Sequence, residues 1–206
     1  MRVAQAMMLF ALGGVVRAQD PFEVRVCTVR YVDDPKLQIN VAQGVASRIL
    51  AGAGVRVKWQ LGEPRRSDRA AVLVIVSSNT SRTFLPGALA YAQLFDGVHI
   101  KVFWDRITDR VHDESLLSAF LLGHVMAHEL THILEGIPRH SEAGLMKARW
   151  TGPEIEHMAV EPLWLDKEDI DLIHKGRTQR QASTESARIP LMLTRDARYH
   201  ESKFAE

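Results

Sequence analysis

His128-Glu129-Leu130-Thr131-His132-Ile133-Leu134-Glu135-Gly136-Ile137-Pro138-Arg139-His140 is the stretch from which the rest of the chain is read. Ahead of it, Leu117, Phe120, Leu121, Val125 and Met126 recur at helical spacing, with no proline between Glu114 and Glu135, which predicts a long and largely buried helix. Gly136 and Pro138 end that helix. Residues four apart share a helix face one turn apart, so His128 and His132 can both reach one Zn²⁺. Glu129 then projects beside the metal, where a carboxylate can take a proton from water. A catalytic zinc keeps three protein ligands and one open position. His140, just past the turn at Gly136, is the first candidate for the third ligand, and Glu154 or Glu156 is the alternative in a site with a carboxylate ligand. His124 lies one turn earlier on the same face and reads as a packed or supporting histidine. Glu135 and Glu142 are candidates to accept the free N–H of a liganding imidazole.

Upstream, Phe22 to Tyr31 is Val-rich and alternating, which reads as a strand. Asp34-Pro35 should open a helix with an apolar stripe at Leu37, Val41, Val45 and Ile49, closed by Gly52 and Gly54. Val55 to Leu61 reads as a second strand, Gly62 to Arg69 as a charged loop, and the apolar run Ala71 to Val76 as a strand buried on both faces. Leu89 to Leu94 and Val98 to Trp104 flank Phe95-Asp96-Gly97 and predict a hairpin. Downstream, Ile137 to Pro162 is punctuated by Gly and Pro, and Asp166 to Lys175 carries acids at its start and bases at its end, as the dipole of a short helix favours. Residues from Arg177 on are polar and aperiodic, although Ile189 to Leu193 is apolar enough to dock on the body. Trp104, Trp150 and Trp164 read as core or surface aromatics.

Composition sets the limits. The 206 residues are 46% hydrophobic and 25% charged, with Lys+Arg 26 against Asp+Glu 25, which fits one globular domain and lacks the basic footprint of a nucleic-acid binder. The single cysteine, Cys27, excludes an intramolecular disulfide framework and a thiolate zinc cluster, and reads as a buried structural thiol. Residues 1–18 have the form of an export signal: Arg2, the uncharged stretch Val3 to Val16, then Val16-Arg17-Ala18 as a cleavage site, with retention as an anchor left open. The expected organisation is therefore a signal peptide at 1–18, a catalytic domain at 19–176 and a polar tail at 177–206, in a secreted or periplasmic protein. No later apolar run is long enough to cross a bilayer.

His128, Glu129, His132, Gly136, His140 and Met146 follow one another in an order that resembles the metzincin clan of zinc metallopeptidases. The clan's pattern is H-E-x-x-H, a glycine turn, a third histidine and a methionine-containing turn. Here the glycine stands one residue later and the third histidine two later than the usual spacing, so no subfamily is assigned. The resemblance, spanning Phe22 to Trp150, implies an α+β fold: a twisted, mostly parallel five-stranded sheet with an antiparallel edge strand, a backing helix, an active-site helix and a small C-terminal helical part. It implies Met146 as the floor of the metal site. It also implies that Leu89, Ala90 and Tyr91, continuing to Ala92, form an edge strand that substrate lies against.

The chemistry implied is hydrolysis of a peptide bond in a peptide or protein, by a zinc-activated water with Glu129 as general base. The competing reading is a non-hydrolytic binding or structural domain that holds zinc on the same scaffold. Substrate, latency and oligomeric state have no signal in the sequence.

Overall fold

The computed structural model describes residues 22–34, 37–65, 71–81, 84–93 and 99–180; the expected signal peptide and nearly all of the expected tail lie outside them. Five strands, β1 (Phe22–Tyr31), β2 (Val55–Leu61), β3 (Val72–Ser77), β4 (Ala90–Gln93) and β5 (His99–Phe103), form one sheet in the order β2-β1-β3-β5-β4. β1 runs parallel to both β2 and β3, and β3 parallel to β5. Only β4, at the edge, is antiparallel. The continuous apolar run of β3 occupies the centre, as a strand flanked on both sides should. Val24, Val26, Val55, Val74, Val76, Ile100 and Val102 join the helices in a single core, and Cys27 is buried too.

Helix α1 (Ile39–Ala51) backs the sheet, but its buried face differs from the expected stripe. Ile39, Ala42, Ala46, Ile49 and Leu50 are buried, whereas Val41 and Val45 are half-buried. The reason lies in the partner helix, α3 (Ser115–Glu135), which approaches α1 at Gly123. A methyl group there would stand 2.6 Å from the Val45 Cβ and 2.7 Å from the Ala42 carbonyl oxygen. Val45 itself stands at this contact, where the missing side chain of Gly123 makes room for it, while Ala42 and Ala46 are fully enclosed. Leu121, Leu122, Met126 and Leu130 of α3 are then fully enclosed, each burial contributing roughly 1.5–3 kcal/mol.

Three further elements correct the expectations. Trp104 does not end a strand: it begins α2 (Trp104–Arg110), and its indole N–H donates to Asp34 Oδ2 at 2.8 Å from inside the core. The Gly/Pro-punctuated segment contains α4 (Gly152–His157), whose start has Thr151 and Glu154 capping each other's backbone. The last helix, α5 (residues 167–180), runs beyond Lys175, so residues 177–180 are helical where a tail was expected. Asp166 and Asp169 cap its start reciprocally, at 2.8 and 3.0 Å. Near its end, Arg180 donates to the Leu134 carbonyl at 2.9 Å and the Ile133 carbonyl at 3.3 Å, satisfying acceptors that the end of α3 leaves free. Among the described residues no helix is long and apolar enough to cross a membrane.

Candidate metal centre

The final turns of α3 carry His128, Glu129 and His132, all buried. Gly136 then takes a left-handed conformation (φ 76°), its N–H donating to the His132 carbonyl at 2.9 Å, and turns the chain back along the helix end. The turn delivers His140. Its ring lies 5.3 Å from that of His128 and 5.0 Å from that of His132, centre to centre. One ring nitrogen from each of the three lies within 4.8 Å of the others, a triad unmatched by any other His, Cys, Asp or Glu group among the described residues. His140 is exposed, so the open side of the triad faces solvent.

The hydrogen bonds fix what this triad can hold. His128 Nδ1 lies 2.9 Å from the Leu145 carbonyl and His132 Nδ1 lies 3.3 Å from the Ile137 carbonyl. A carbonyl only accepts, so both Nδ1 atoms carry the proton and both Nε2 atoms present lone pairs. These lone pairs face each other at 3.1 Å. A proton shared between them is disfavoured at neutral pH, because burial lowers the pKa of His128 to about 3 and that of His132 to about 4; burial also lowers His140. Two facing acceptors without a proton call for a cation. Tetrahedral zinc with Zn–N bonds of about 2.0–2.1 Å separates its nitrogens by about 3.3–3.4 Å, so the His128–His132 pair fits a zinc ion, with the His140 nitrogen within 4.8 Å of both.

Glu129 sits beside the triad on the side of the sheet edge. Burial raises its carboxyl to about 7, and a hydrogen bond from the Ala92 backbone works in the opposite direction. The ladder explains why Ala92 is free to do so. Phe103 donates to the Leu89 carbonyl at 2.9 Å, so Leu89, Tyr91 and Gln93 turn their backbone groups toward β5, and Ala90 and Ala92 turn theirs away from it. β4 is the edge strand of the sheet, and Ala90 and Ala92 carry the backbone groups that face away from β5, one of those of Ala92 being taken by Glu129.

Beneath His128 the chain makes a tight turn. Ser141 N–H donates to the Met146 carbonyl at 2.8 Å, and Leu145 N–H donates to the Trp164 carbonyl at 3.0 Å, which fixes the Leu145 oxygen that orients His128. Met146 is fully buried in the core next to this turn. The Trp150 ring meets that of His128 edge-on at 5.6 Å.

Other candidates lie elsewhere. The Glu154 carboxylate is held by Lys147, at 2.8 and 3.0 Å, and by the Thr151 backbone at 2.6 Å, which hold its pKa well below the usual range; it is a helix cap and not a ligand. Glu156 and Glu142 are exposed and outside the triad. His124 is a satisfied core residue, with Nδ1 on the Phe120 carbonyl at 2.8 Å and Nε2 accepting from Leu163 N–H at 3.1 Å. Glu135 supports no imidazole, since backbone carbonyls do that work; its carboxylate is buried near Arg139 and Asp169 without a hydrogen-bond partner among the described residues. Trp164 is partly exposed with Arg48 over its ring at 5.6 Å. Sequence reasoning placed Ala92 on the edge strand but missed its bond to Glu129, and missed Ile137 and Leu145, because all three act through the backbone, which leaves no side-chain signature.

No protein-family model and no curated protein matches the chain. Among solved structures, that of archaemetzincin from Methanopyrus kandleri covers 79% of this chain and 99% of its own, at 13% identity and a TM-score of 0.51. The fold is archaemetzincin-like. The likeness to archaemetzincin is one of architecture: a mostly parallel five-stranded sheet with its helices, which the motif order also implied. What the individual residues do rests on the distances above.

Proposed function

We propose that this chain is a zinc-dependent metalloendopeptidase of metzincin type, with His128, His132 and His140 as ligands and Glu129 as general base. The observation that carries the reading is the pair of proton-free Nε2 atoms facing each other at 3.1 Å, with the third imidazole beside them and a buried carboxylate next in sequence. Zinc at this place supplies a lowered pKa for attacking water and polarisation of the scissile carbonyl. Leu145 and Ile137 hold the imidazoles in the tautomer that leaves Nε2 free. Glu129 takes the proton of the attacking water and returns it to the leaving amine; its position in a buried pocket keeps its basicity well above that of an exposed carboxylate. Ala90 offers its main-chain groups to an extended peptide in the β-addition mode. Met146 serves as the floor of the site. The protein is exported, with its mature N-terminus near Gln19, which N-terminal sequencing from the native host checks.

Zinc stoichiometry and peptide-library cleavage by the parent and by Glu129→Gln test the activity. The variant should keep one zinc and lose about 10²- to 10⁴-fold in turnover. A parent that binds zinc and cleaves nothing leaves the non-hydrolytic zinc-holding domain; a parent without zinc removes both.

A further inference from the structure

His128 and His132 each have a backbone carbonyl to orient the ring, and His140 has none: no hydrogen bond to its ring is present among the described residues. It is also exposed, on a segment with no regular structure, where a lone imidazole ordinarily samples several rotamers. Yet it meets the other two rings at 5.3 and 5.0 Å. Its placement has to come from the backbone on either side.

After His140, Ser141 is tied to the Met146 carbonyl. Before it, Arg139 reaches away from the metal site into α5. Its Nη2 donates to Asp169 Oδ1, and its Nη1 lies 3.5 Å from Glu168. Asp169 is fully buried and held by the reciprocal cap with Asp166, and α5 is itself fastened to the end of α3 through Arg180. The anchor point for Arg139 is therefore rigid relative to the helix that carries His128 and His132. A buried charge pair is an expensive way to hold a loop when an apolar contact of the same volume would do, so its direction and fixed geometry call for an explanation.

We propose that the Arg139–Asp169 ion pair is a positioning device for His140, fixing the backbone at residue 139 so that the third imidazole points at the metal. The proposal rests on the zinc reading given above. Neither residue belongs to the three-histidine group.

The test measures zinc affinity by competition with a chromophoric chelator, on the full chain, in two backgrounds. Arg139→Met combined with Asp169→Asn removes both members of the ion pair together; Asp169→Asn alone keeps the size and the acceptor for Asp166. In the parent background each should weaken zinc binding by about 10- to 100-fold, the range for residues that orient ligands. In a His140→Ala background neither should weaken it further by more than about 3-fold, since coupled residues are not additive. Cobalt substitution gives a second readout. Both variants should shift the visible ligand-field bands of the parent toward those of His140→Ala, which a merely structural role would not do. Equal losses in both backgrounds, or parent-like affinity and bands in both variants while His140→Ala is impaired, overturn the proposal. A parent that takes up no zinc overturns the metal reading first, and the proposal with it.

Discussion

The backbone of Ala92, on the outer edge of the sheet, hydrogen-bonds to the carboxylate of Glu129, in the latter half of α3. Strand edge and helix are thereby joined at the residue proposed as base. Proline at Ala90 removes an outward-facing N–H and leaves the ladder to β5 intact. Ala90→Pro should raise KM for peptides with zinc content unchanged. Ala92→Pro removes the donor to Glu129 as well; a carboxylate without its donor is a stronger base and a higher-pKa acid. The acid limb of the pH–rate profile should move to higher pH in Ala92→Pro and stay in place in Ala90→Pro.

The third ligand is decided by paired variants. His140→Ala should lower zinc affinity, and Glu154→Ala should leave it unchanged while losing a helix cap, at about 0.5–2 kcal/mol of stability. Zinc titration and thermal unfolding of the two proteins check both halves. The opposite pattern would return the site to a carboxylate third ligand.

Glu135 governs part of the pH dependence of stability. Burial raises its carboxyl from 4.5 to about 7 in the folded chain, with Asp169 adding to the rise. Between those pH values the folded state holds a proton that the unfolded state has lost, so stability from this group falls as pH rises and levels off above about 7. Glu135→Gln cannot lose that proton. The gap in Tm between the variant and the parent should widen in favour of Gln from pH 4.5 to 7, measured on metal-free protein; a constant gap would exclude the account.

Gly123→Ala should destabilise the fold by about 1–3 kcal/mol through overpacking, a drop of roughly 2–12 °C in Tm for a chain of this size. Val45→Ala should recover only a minor part of the loss, because it removes the Cγ1 at 2.9 Å but keeps the Cβ at 2.6 Å, and the 2.7 Å approach to the Ala42 carbonyl also remains. Calorimetry on the single and double variants measures the recovery.

The legible parts of this protein were local. H-E-x-x-H on an apolar helix announces itself by spacing, Gly136 announces the turn that brings His140 back, and the flanking runs around Gly97 announce β4 and β5. α2 escaped because the apolar run through Trp104 passes from strand to helix with no breaker between them. The interior face of α1 escaped for a different reason: which stripe of α1 is enclosed depends on where α3 crosses it at Gly123, a relation between two distant segments. α4 carried a capping signal at Thr151 and Glu154 that the surrounding Gly and Pro masked. The Arg139–Asp169 pair joins a loop to a distant helix, a relation that no local pattern encodes.

The contact at Gly123 also says where this molecule can move. With α1 and α3 touching backbone to side chain at that point, the two helices and the strands beneath them behave as one stiff block, and the imidazoles on α3 travel with it. On the reading proposed above, entry of a peptide would then have to be accommodated at the short β4 strand, since the chain from Ile137 to Leu145 is tied to α5, to Met146 and to Trp164. Slow exchange of backbone amides in the block, beside faster exchange of the outward amide of Ala90 in β4, is the dynamic signature this construction imposes.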